Sequence, residues 1–428
     1  MNVELINTGS ELMLGRVLNT HQQWLCRRLA DLGYVVTRQV AVADTARDIE
    51  AAVREALSRN DLVITTGGLG PTSDDITRDM IAQLLGKKLQ PDASIARHIE
   101  YFFALRKRPM PPSTLVQAMV PEGAIVLPNP NGTAPGLAMK VEGTTFLSTL
   151  NPQPSASPKW LIMLPGPPRE LRPMFDAAVV PLLQRELPLA EEFVCLTLRT
   201  VGIGESQAAD RIGNRLLEVV AQGLELGYCA HIGAVDIRFV AKGPLASKLV
   251  REAEAIVRQE LAKHIFGEDD ETLEAVVVRL LTERKQTLAL AESCTGGGLA
   301  HRITNVPGAS AVLLASLVTY ANEAKQKFVG VQAESLAAHG AVSEVVAKEM
   351  AAGARRETGA DYALSVTGIA GPGGGSEAKP VGTVFIGFAS KNETLTLKQF
   401  NPLDRETFKQ VTTTQALEIL RRKILALD

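Results

Sequence analysis

The sequence predicts an α/β protein built from three successive regions. Residues 1–188 alternate short apolar strands with helices, which is typical of a parallel sheet covered by helices on both faces. Residues 190–266 contain a strand, a helix, a pair of strands and a second helix, the pattern of a small α+β domain. Residues 271–428 return to strand–loop–helix units, and two of their strands end in glycine-rich loops. Because ligands of such sheets bind beyond the carboxyl ends of the strands, function is expected at these loops.

The composition is that of an ordinary globular protein. Of the 428 residues, 46% are hydrophobic and 21% are charged, and the net charge is −2. The absence of a basic excess makes nucleic acid an unexpected partner. Four widely separated cysteines argue against a zinc site or a disulfide framework and favour a reducing compartment. No signal peptide or membrane-spanning run is recognisable, so a cytoplasmic protein without a membrane partner is expected.

The first region carries clear helix signals between its apolar strands. Asn19 and Thr20 cap the first long helix, and Gly33 ends it. Residues 149–159 are rich in proline and serine, which predicts that they form a surface excursion, a loop that leaves the fold. The predicted strands are 3–8, 34–42, 61–66, 124–127, 137–141 and 160–163, and the predicted helices are 20–32, 45–58 and 76–85.

The loop after strand 61–66 has the composition of a phosphate site. Asp74 and Asp75 end this loop close to a helix start, where they either favour the helix dipole or hold a hard cation such as Mg²⁺ against phosphate oxygens. Glycines that admit a phosphate to the backbone favour the second interpretation. The candidate phosphate contacts are Gly67, Gly68, Gly70 and Thr72.

Two further loops of this region are either simple tight turns or parts of the same site. One contains Asn131 and Thr133 and lies between two strands. The other contains Gly166 and Pro167, follows a strand and opens a helix.

The middle region resembles a KH domain in the order of its elements. RNA binding by that fold needs a G-x-x-G loop, and none occurs in residues 190–266. The region is therefore interpreted as a spacer or a dimerisation element.

In the third region the apolar strand 287–291 stops at a polar, glycine-rich turn that precedes a helix. A second predicted strand, 315–319, ends shortly before Lys325, and Ser343 is predicted to cap a helix that runs to Thr358. The hydroxyls of Ser293 and Thr295 lie where a nucleophile or a phosphate contact is expected. A helix start with free N–H groups suits an anion, but simple helix capping explains the loop equally well.

A nucleophilic serine needs a neighbouring base. None of the six histidines lies in a catalytic-looking loop of the third region. Lys325 is the better candidate, because burial lowers a lysine pKa until the neutral amine is populated. A lone lysine is ordinarily a solvated surface residue, so this assignment depends on the motifs around it.

Those motifs resemble one known family along nearly the whole chain. Five segments resemble the C-terminal domain of the CinA family, which is a nicotinamide mononucleotide (NMN) deamidase domain. They are AESCTGGGLA, VTYANEAK, HGAVSE, SVTGIAGPGGG and the KPVGTV that follows it. Four segments resemble the family's molybdopterin-binding-like N-terminal domain: INTGSELMLG, TTGGLGPTSDD, NGTAPG and LPGPP. The segment VGIGES resembles the family's KH-like connector. The implied domains are residues 1–188, 190–266 and 271–428.

For the C-terminal domain the resemblance implies a serine–lysine mechanism. Ser293 is the implied nucleophile and Lys325 its general base. The resemblance also implies that Thr295, Gly296 and Gly297 hold the nucleotide phosphate. Thr367 and Gly368 are implied to shape the site around the ribose and the carboxamide. Tyr320 and Asn322 are implied to line the pocket, and Tyr320 is a further catalytic candidate.

The implied anion contacts depart in part from the family pattern. Arg405 resembles the arginine of the family's GDR segment, which reaches the ligand in the same or a neighbouring subunit. The glycine of that segment is replaced here, since the chain reads Leu403-Asp404-Arg405. Lys409 stands where many relatives have a second arginine.

The implied activities are two hydrolyses. The C-terminal domain would convert NMN to nicotinate mononucleotide and ammonia without a metal. The N-terminal domain would split ADP-ribose into AMP and ribose 5-phosphate with a divalent cation near Asp74 and Asp75. Gly67, Gly68, Gly70 and Thr72 would hold the pyrophosphate, with Asn131, Thr133, Gly166 and Pro167 around it. A homodimer is implied.

Two alternatives stay open at the level of sequence. The N-terminal domain also resembles enzymes that adenylylate molybdopterin, and its glycine-rich motif does not separate pyrophosphate hydrolysis from adenylyl transfer. The other alternative is a non-catalytic, nucleotide-binding scaffold associated with competence.

Overall fold

The computed structural model describes residues 1–142 and 159–427. The chain divides into two compact units, residues 1–193 and 194–428. The predicted surface excursion lies outside the described residues except for Lys159, which is the first residue of a strand rather than part of a loop. No helix among the described residues is long and apolar enough to cross a membrane.

The first unit contains eight strands and seven α-helices within its described residues. The strands are β1 Asn2–Thr8, β2 Val35–Val42, β3 Leu62–Thr66, β4 Leu89–Pro91, β5 Met119–Pro121, β6 Ile125–Leu127, β7 Gly136–Val141 and β8 Lys159–Leu164. The helices are α1 Ser10–Met13, α2 Thr20–Asp31, α3 Ala46–Arg59, α4 Thr77–Leu84, α5 Ala93–Leu105, α6 Pro168–Met174 and α7 Val180–Glu186. Pro112–Ala118 forms a 3₁₀ helix and Phe175–Val179 a π-helical turn.

The main sheet of this unit has the order β2-β1-β3-β8-β7-β6. The first four strands are parallel, as the sequence predicts, whereas β7 pairs antiparallel with both β8 and β6. The loop between β6 and β7 is too short for the crossover that parallel strands need, so the chain reverses there. The helix α5, which precedes the 3₁₀ helix and packs against it, was not predicted.

Helices cover both faces of this sheet. β3 is buried at all five positions, and its side chains alternate between two cores. Leu62 and Ile64 belong to one core with residues of α2 and α6, and Val63 belongs to the other with residues of α3 and α4. Burial of each such side chain stabilises the fold by about 1.5–3 kcal/mol. The strand therefore ends at a fixed place, which positions the glycine-rich loop that follows it.

The second unit holds two sheets with their own helices. Its strands are β9 Phe193–Val201, β10 Glu225–His231, β11 Ala234–Lys242, β12 Ile265–Glu268, β13 Leu288–Glu292, β14 Leu313–Val318, β15 Tyr362–Gly368, β16 Thr383–Ala389 and β17 Thr394–Phe400. Its helices are α8 Glu205–Ala221, α9 Ala246–Leu261, α10 Leu273–Arg284, α11 Gly298–Thr304, α12 Asn322–Val329, α13 Ala333–His339, α14 Glu344–Thr358 and α15 Arg405–Leu425.

The smaller sheet, in the order β10-β11-β9-β12, carries α8 and α9 on one face. The larger sheet has the order β14-β13-β15-β16-β17, in which the first three strands are parallel and β16 pairs antiparallel with both β15 and β17. The predicted cap at Ser343 is confirmed, because its hydroxyl accepts from the amide of Val346. The strand β17 was not predicted. Lys325, which was predicted near a strand end, lies in the first turn of α12, the helix that follows β14.

Candidate active sites

Ser293 and Lys325 meet at the carboxyl edge of the larger sheet. β13 delivers Ser293 one residue after its end, and α12 delivers Lys325 from the next crossover. The Lys325 Nζ lies 3.2 Å from the Ser293 Oγ. The same Nζ donates to the carbonyl oxygens of Thr319 at 2.8 Å and Tyr320 at 3.0 Å. The predicted pair is therefore within direct hydrogen-bond distance.

The environment of Lys325 favours its neutral form. The side chain is only 1% exposed, and this burial lowers its pKa below the ordinary value of 10.5. A neutral amine has two N–H bonds and one lone pair. Its two N–H bonds match the two carbonyl acceptors, which leaves the lone pair to accept the proton of Ser293.

Cys294, the residue beside Ser293, is unsuited to act as a nucleophile. Its side chain is buried in the hydrophobic core on the α10 and α11 side of the sheet. Desolvation raises the pKa of its thiol to about 12, so that the reactive thiolate is scarcely formed near neutral pH.

Glu292, the last residue of β13, caps the start of α11 from inside the protein. Its side chain is fully buried, and its carboxylate accepts five hydrogen bonds within 3.3 Å. The donors are the hydroxyls of Thr295 and Ser316 and the amides of Gly297, Leu299 and Ala300. The positive end of α11 is therefore neutralised by the protein's own carboxylate.

This capping gives protein acceptors to the groups that were predicted to contact the phosphate. Thr295 is fully buried and donates to Glu292, and the Gly297 amide has the same acceptor. The Gly296 amide donates to the carbonyl oxygen of Ser293. The three residues thus shape the turn that presents Ser293, and the structure gives them a different role from the predicted one.

Cationic side chains lie on the other side of the same turn. Arg405 donates to the hydroxyl of Tyr320 at 3.0 Å and to the carbonyl oxygen of Gly371 at 2.9 Å, all within one chain. The Nζ of Lys409 lies 3.8 Å from the position that a Cβ on Gly296 would occupy. Both side chains border a groove of about 440 Å³, together with Gly298, His301, Arg302, Glu406, Gln410 and Thr413.

The remaining predicted residues of this site fall into two groups. Tyr320 is 61% exposed and Asn322, the first residue of α12, is also exposed, so both are accessible to a ligand. Thr367 is buried and donates to the carbonyl oxygen of Ala341, and Gly368 pairs with Val384 in the sheet. These last two support the edge of β15 rather than offer side-chain contacts.

The N-terminal glycine-rich loop borders a cleft of about 400 Å³. Gly67, Gly68 and Gly70 all line it. Gly68 has φ of +66°, and a Cβ there would lie 1.9 Å from the Thr77 hydroxyl oxygen, so only glycine fits. The cleft is completed by residues of five other segments: Thr8, Gly9, Glu11, Asp44, Gln117, Thr133, Ala134, Pro165, Gly166, Pro167 and Glu170.

Most predicted N-terminal site residues thus meet in one place, with two exceptions. Thr133, Gly166 and Pro167 line the cleft as expected. Thr72 does not line it, because its amide and its hydroxyl both donate to Asp75. Asn131 is directed elsewhere as well, since its amide donates to the side chain of Asn129 at the base of the loop.

The chemistry of the cleft is unusually acidic for a phosphate site. Five carboxylates line it: Glu11, Asp44, Asp74, Asp75 and Glu170. No lysine, arginine or histidine of the described residues lines it with them. Ionised phosphates would be repelled by such a surface unless a cation lay between them. Within the described ranges no group of three or more His, Cys, Asp or Glu forms a ready metal site. Any cation would therefore need the ligand's own oxygens.

Sequence reasoning gave no role to Glu292, Gln117 or Glu170. A charged residue at the end of an apolar strand was the signal for Glu292, since a buried carboxylate needs partners. Gln117 lies in a 3₁₀ helix with no recognisable motif, and nothing in its local sequence points to the cleft.

Comparisons with known proteins cover all three predicted regions. Family models match residues 4–185 ("Probable molybdopterin binding domain"), 196–267 ("Damage-inducible protein CinA KH domain") and 270–424 ("CinA C-terminal domain"). The chain is 42% identical over 428 residues to a competence-damage inducible protein of Caldicellulosiruptor bescii, spanning 99% of this chain and 100% of the relative. It is also 42% identical over 420 residues to a CinA-like protein of Akkermansia muciniphila, spanning 97% and 96%.

Proposed function

Because the chain belongs to the CinA family, we propose that it is a bifunctional hydrolase of pyridine nucleotides. The observation that carries the proposal is the 3.2 Å approach of a buried lysine amine to the Ser293 hydroxyl. The C-terminal site would deamidate NMN, and the N-terminal cleft would hydrolyse ADP-ribose. A homodimer in the cytoplasm remains part of the proposal.

In the proposed deamidation, the neutral amine of Lys325 takes the proton of Ser293 while the Ser293 Oγ attacks the carboxamide carbon of NMN. The tetrahedral intermediate expels ammonia, with a proton returned from Lys325, and leaves a serine ester of nicotinate mononucleotide. Water then attacks this ester with Lys325 again as base, and nicotinate mononucleotide departs. The net reaction consumes one water and releases one ammonia.

Backbone amides would stabilise the oxyanion of that intermediate. The amides of Ser293, Gly296 and Gly297 already have protein acceptors. The proposal therefore assigns the oxyanion to the amides of Cys294 and Thr295, which follow the nucleophile in the same turn.

The substrate phosphate needs an anion site other than the capped helix start. Arg405 and Lys409 border the groove beside Gly296, on the accessible side of the turn. We assign the phosphate of NMN to these two cations, with Tyr320 held by Arg405 as the neighbouring wall. A bidentate guanidinium and a lysine together give the charge that the capped terminus lacks.

In the N-terminal cleft, the loop Gly67–Gly70 would hold the pyrophosphate of ADP-ribose through its backbone. The acidic lining supports a requirement for a divalent cation such as Mg²⁺, held by Asp74 and Asp75 together with phosphate oxygens. When bound, that cation would neutralise charge that develops on the pyrophosphate. Addition of water across the pyrophosphate gives AMP and ribose 5-phosphate.

The match to a molybdopterin-binding domain favours one second candidate for this cleft, adenylyl transfer to molybdopterin. One experiment separates the proposals. The purified full-length chain is incubated with NMN, with ADP-ribose, and with molybdopterin plus ATP, each with Mg²⁺ and with a chelator. We expect ammonia from NMN in both conditions and AMP from ADP-ribose only with Mg²⁺. Formation of adenylylated molybdopterin instead of AMP would replace ADP-ribose hydrolysis by adenylyl transfer as the function of the cleft. Binding of these ligands without any turnover would identify a non-catalytic scaffold.

A further inference from the structure

Gln117 lines the N-terminal cleft and carries a buried, unsatisfied hydrogen-bond acceptor. The residue lies near the end of the 3₁₀ helix, lines the cleft and is only 3% exposed. Its Nε2 donates to the carbonyl oxygen of Leu69 at 3.3 Å, which fixes the orientation of the amide. The Oε1 is buried and has no partner among the described residues. Buried acceptors are normally paired, so this oxygen is available to a hydrogen-bond donor of a ligand.

We infer that Gln117 is a specificity-determining residue whose Oε1 accepts a hydrogen bond from a ribose hydroxyl of the ligand. This inference rests on the proposed ADP-ribose hydrolysis. Leu69 lies inside the glycine-rich loop, so Gln117 is tied to the segment that would hold the pyrophosphate. The groups that flank a pyrophosphate in ADP-ribose are its two riboses.

The chemistry of the acceptor decides between the ligand groups near that loop. Ionised phosphate oxygens are acceptors and cannot satisfy another acceptor. A ribose hydroxyl can donate, and it is the donor nearest to the pyrophosphate in this ligand class. A site built to bind a hydroxyl discriminates against the analogue that lacks it, because the buried acceptor is then left unpaired.

The test compares ADP-ribose with the five analogues that each lack one of its ribose hydroxyls. It uses the full-length chain with Mg²⁺, and it measures kcat/KM for AMP release. For the wild type we expect one analogue to be used about three- to tenfold less well than ADP-ribose. In Gln117→Met that difference should vanish, because the acceptor is gone.

Two further variants distinguish ligand contact from support of the loop. Gln117→Glu keeps an acceptor oxygen but loses the donor to Leu69, and it should still discriminate against the same analogue. Gln83→Met makes the same change as Gln117→Met at an exposed position of α4 outside the cleft, and it should behave as the wild type. Loss of discrimination in both Gln117 variants would assign Gln117 to the loop alone and overturn the inference. Equal use of all five analogues by an active wild type would also overturn it.

Equilibrium binding separates this inference from the proposed reaction. A chain that binds ADP-ribose but releases no AMP contradicts the reaction alone, and the hydroxyl comparison is then made on Kd. A chain that does not bind ADP-ribose contradicts both.

Discussion

At the scale of single residues, Ser293 and Cys294 compete for the same role and differ in their surroundings. Ser293 faces the amine of Lys325, whereas the thiol of Cys294 is buried with a pKa raised to about 12. We expect Ser293→Ala to lower the rate of ammonia release from NMN by several orders of magnitude while NMN still binds. Cys294→Ala should keep most of the activity. If the cysteine variant were the inactive one, the serine mechanism would be wrong.

The lowered pKa of Lys325 predicts a particular pH dependence. The base acts when it is unprotonated, so kcat/KM for NMN should rise with pH and level off once the amine is neutral. Because burial lowers the pKa, the midpoint of this rise should lie below 10.5. Lys325→Arg keeps the charge but cannot lose a proton in this pH range. It should therefore abolish both the activity and the rise of kcat/KM with pH. If the residual activity of Lys325→Arg still rose with pH at the wild-type midpoint, the titration would belong to another group.

At the scale of elements, Glu292 connects β13 to α11. We expect Glu292→Gln to lower the free energy of unfolding of the second unit by about 2–4 kcal/mol, because an amide turns one donor group towards buried N–H donors. Chemical denaturation measures this loss. The matched control is Glu334→Gln, at an exposed position in the first turn of α13, for which a change within about 0.5 kcal/mol is expected. If both variants changed the free energy of unfolding equally, the hydrogen bonds of Glu292 to the start of α11 would not stabilise the fold.

α12 carries Lys325, and its position depends on a close approach to α14. A Cβ on Gly353 of α14 would lie 1.7 Å from the carbonyl oxygen of Val329 at the end of α12. Gly353→Ala should therefore displace α12, lower stability by about 1–3 kcal/mol and reduce NMN deamidation. Gly213→Ala, in the open interior of α8, meets no atom within 4 Å and should stabilise by about 0.5–1 kcal/mol. Calorimetry and ammonia release on both variants check this pair, and an active, stable Gly353→Ala would contradict it.

Element-level prediction from sequence succeeded where local signals are strong. The cap at Ser343 and the strand at Leu62–Thr66 follow from side-chain chemistry and from a short apolar run. The missed strand β17 has no fully buried residue. The missed helix α5 buries only two, although Asp92 at its start is a helix-capping signal. The acceptor at the start of α11 could not be predicted for a different reason. Which group satisfies a helix start depends on the direction of a buried side chain, and Glu292 turns inward.

At the scale of the whole molecule, the sequence located the two candidate sites but not the chemistry within them. Both lie at the carboxyl ends of parallel strands, where the α/β pattern predicts ligands. The pairing of Ser293 with Lys325 joins residues 32 positions apart and was available only through family resemblance. The acidic lining of the N-terminal cleft combines residues from distant segments, and no single motif contains it.

The location of the two sites in different compact units predicts that their activities separate. Asp74→Asn and Asp75→Asn each remove a carboxylate from the N-terminal cleft, so AMP release from ADP-ribose with Mg²⁺ should fall at least about tenfold or require more metal. Ammonia release from NMN should stay near the wild-type rate, and Ser293→Ala should show the opposite pattern. Asp210→Asn, at an exposed position of α8, is the matched control and should change neither activity. If either cleft variant lost both activities while its unfolding transition was unchanged, one shared site would replace the two proposed here.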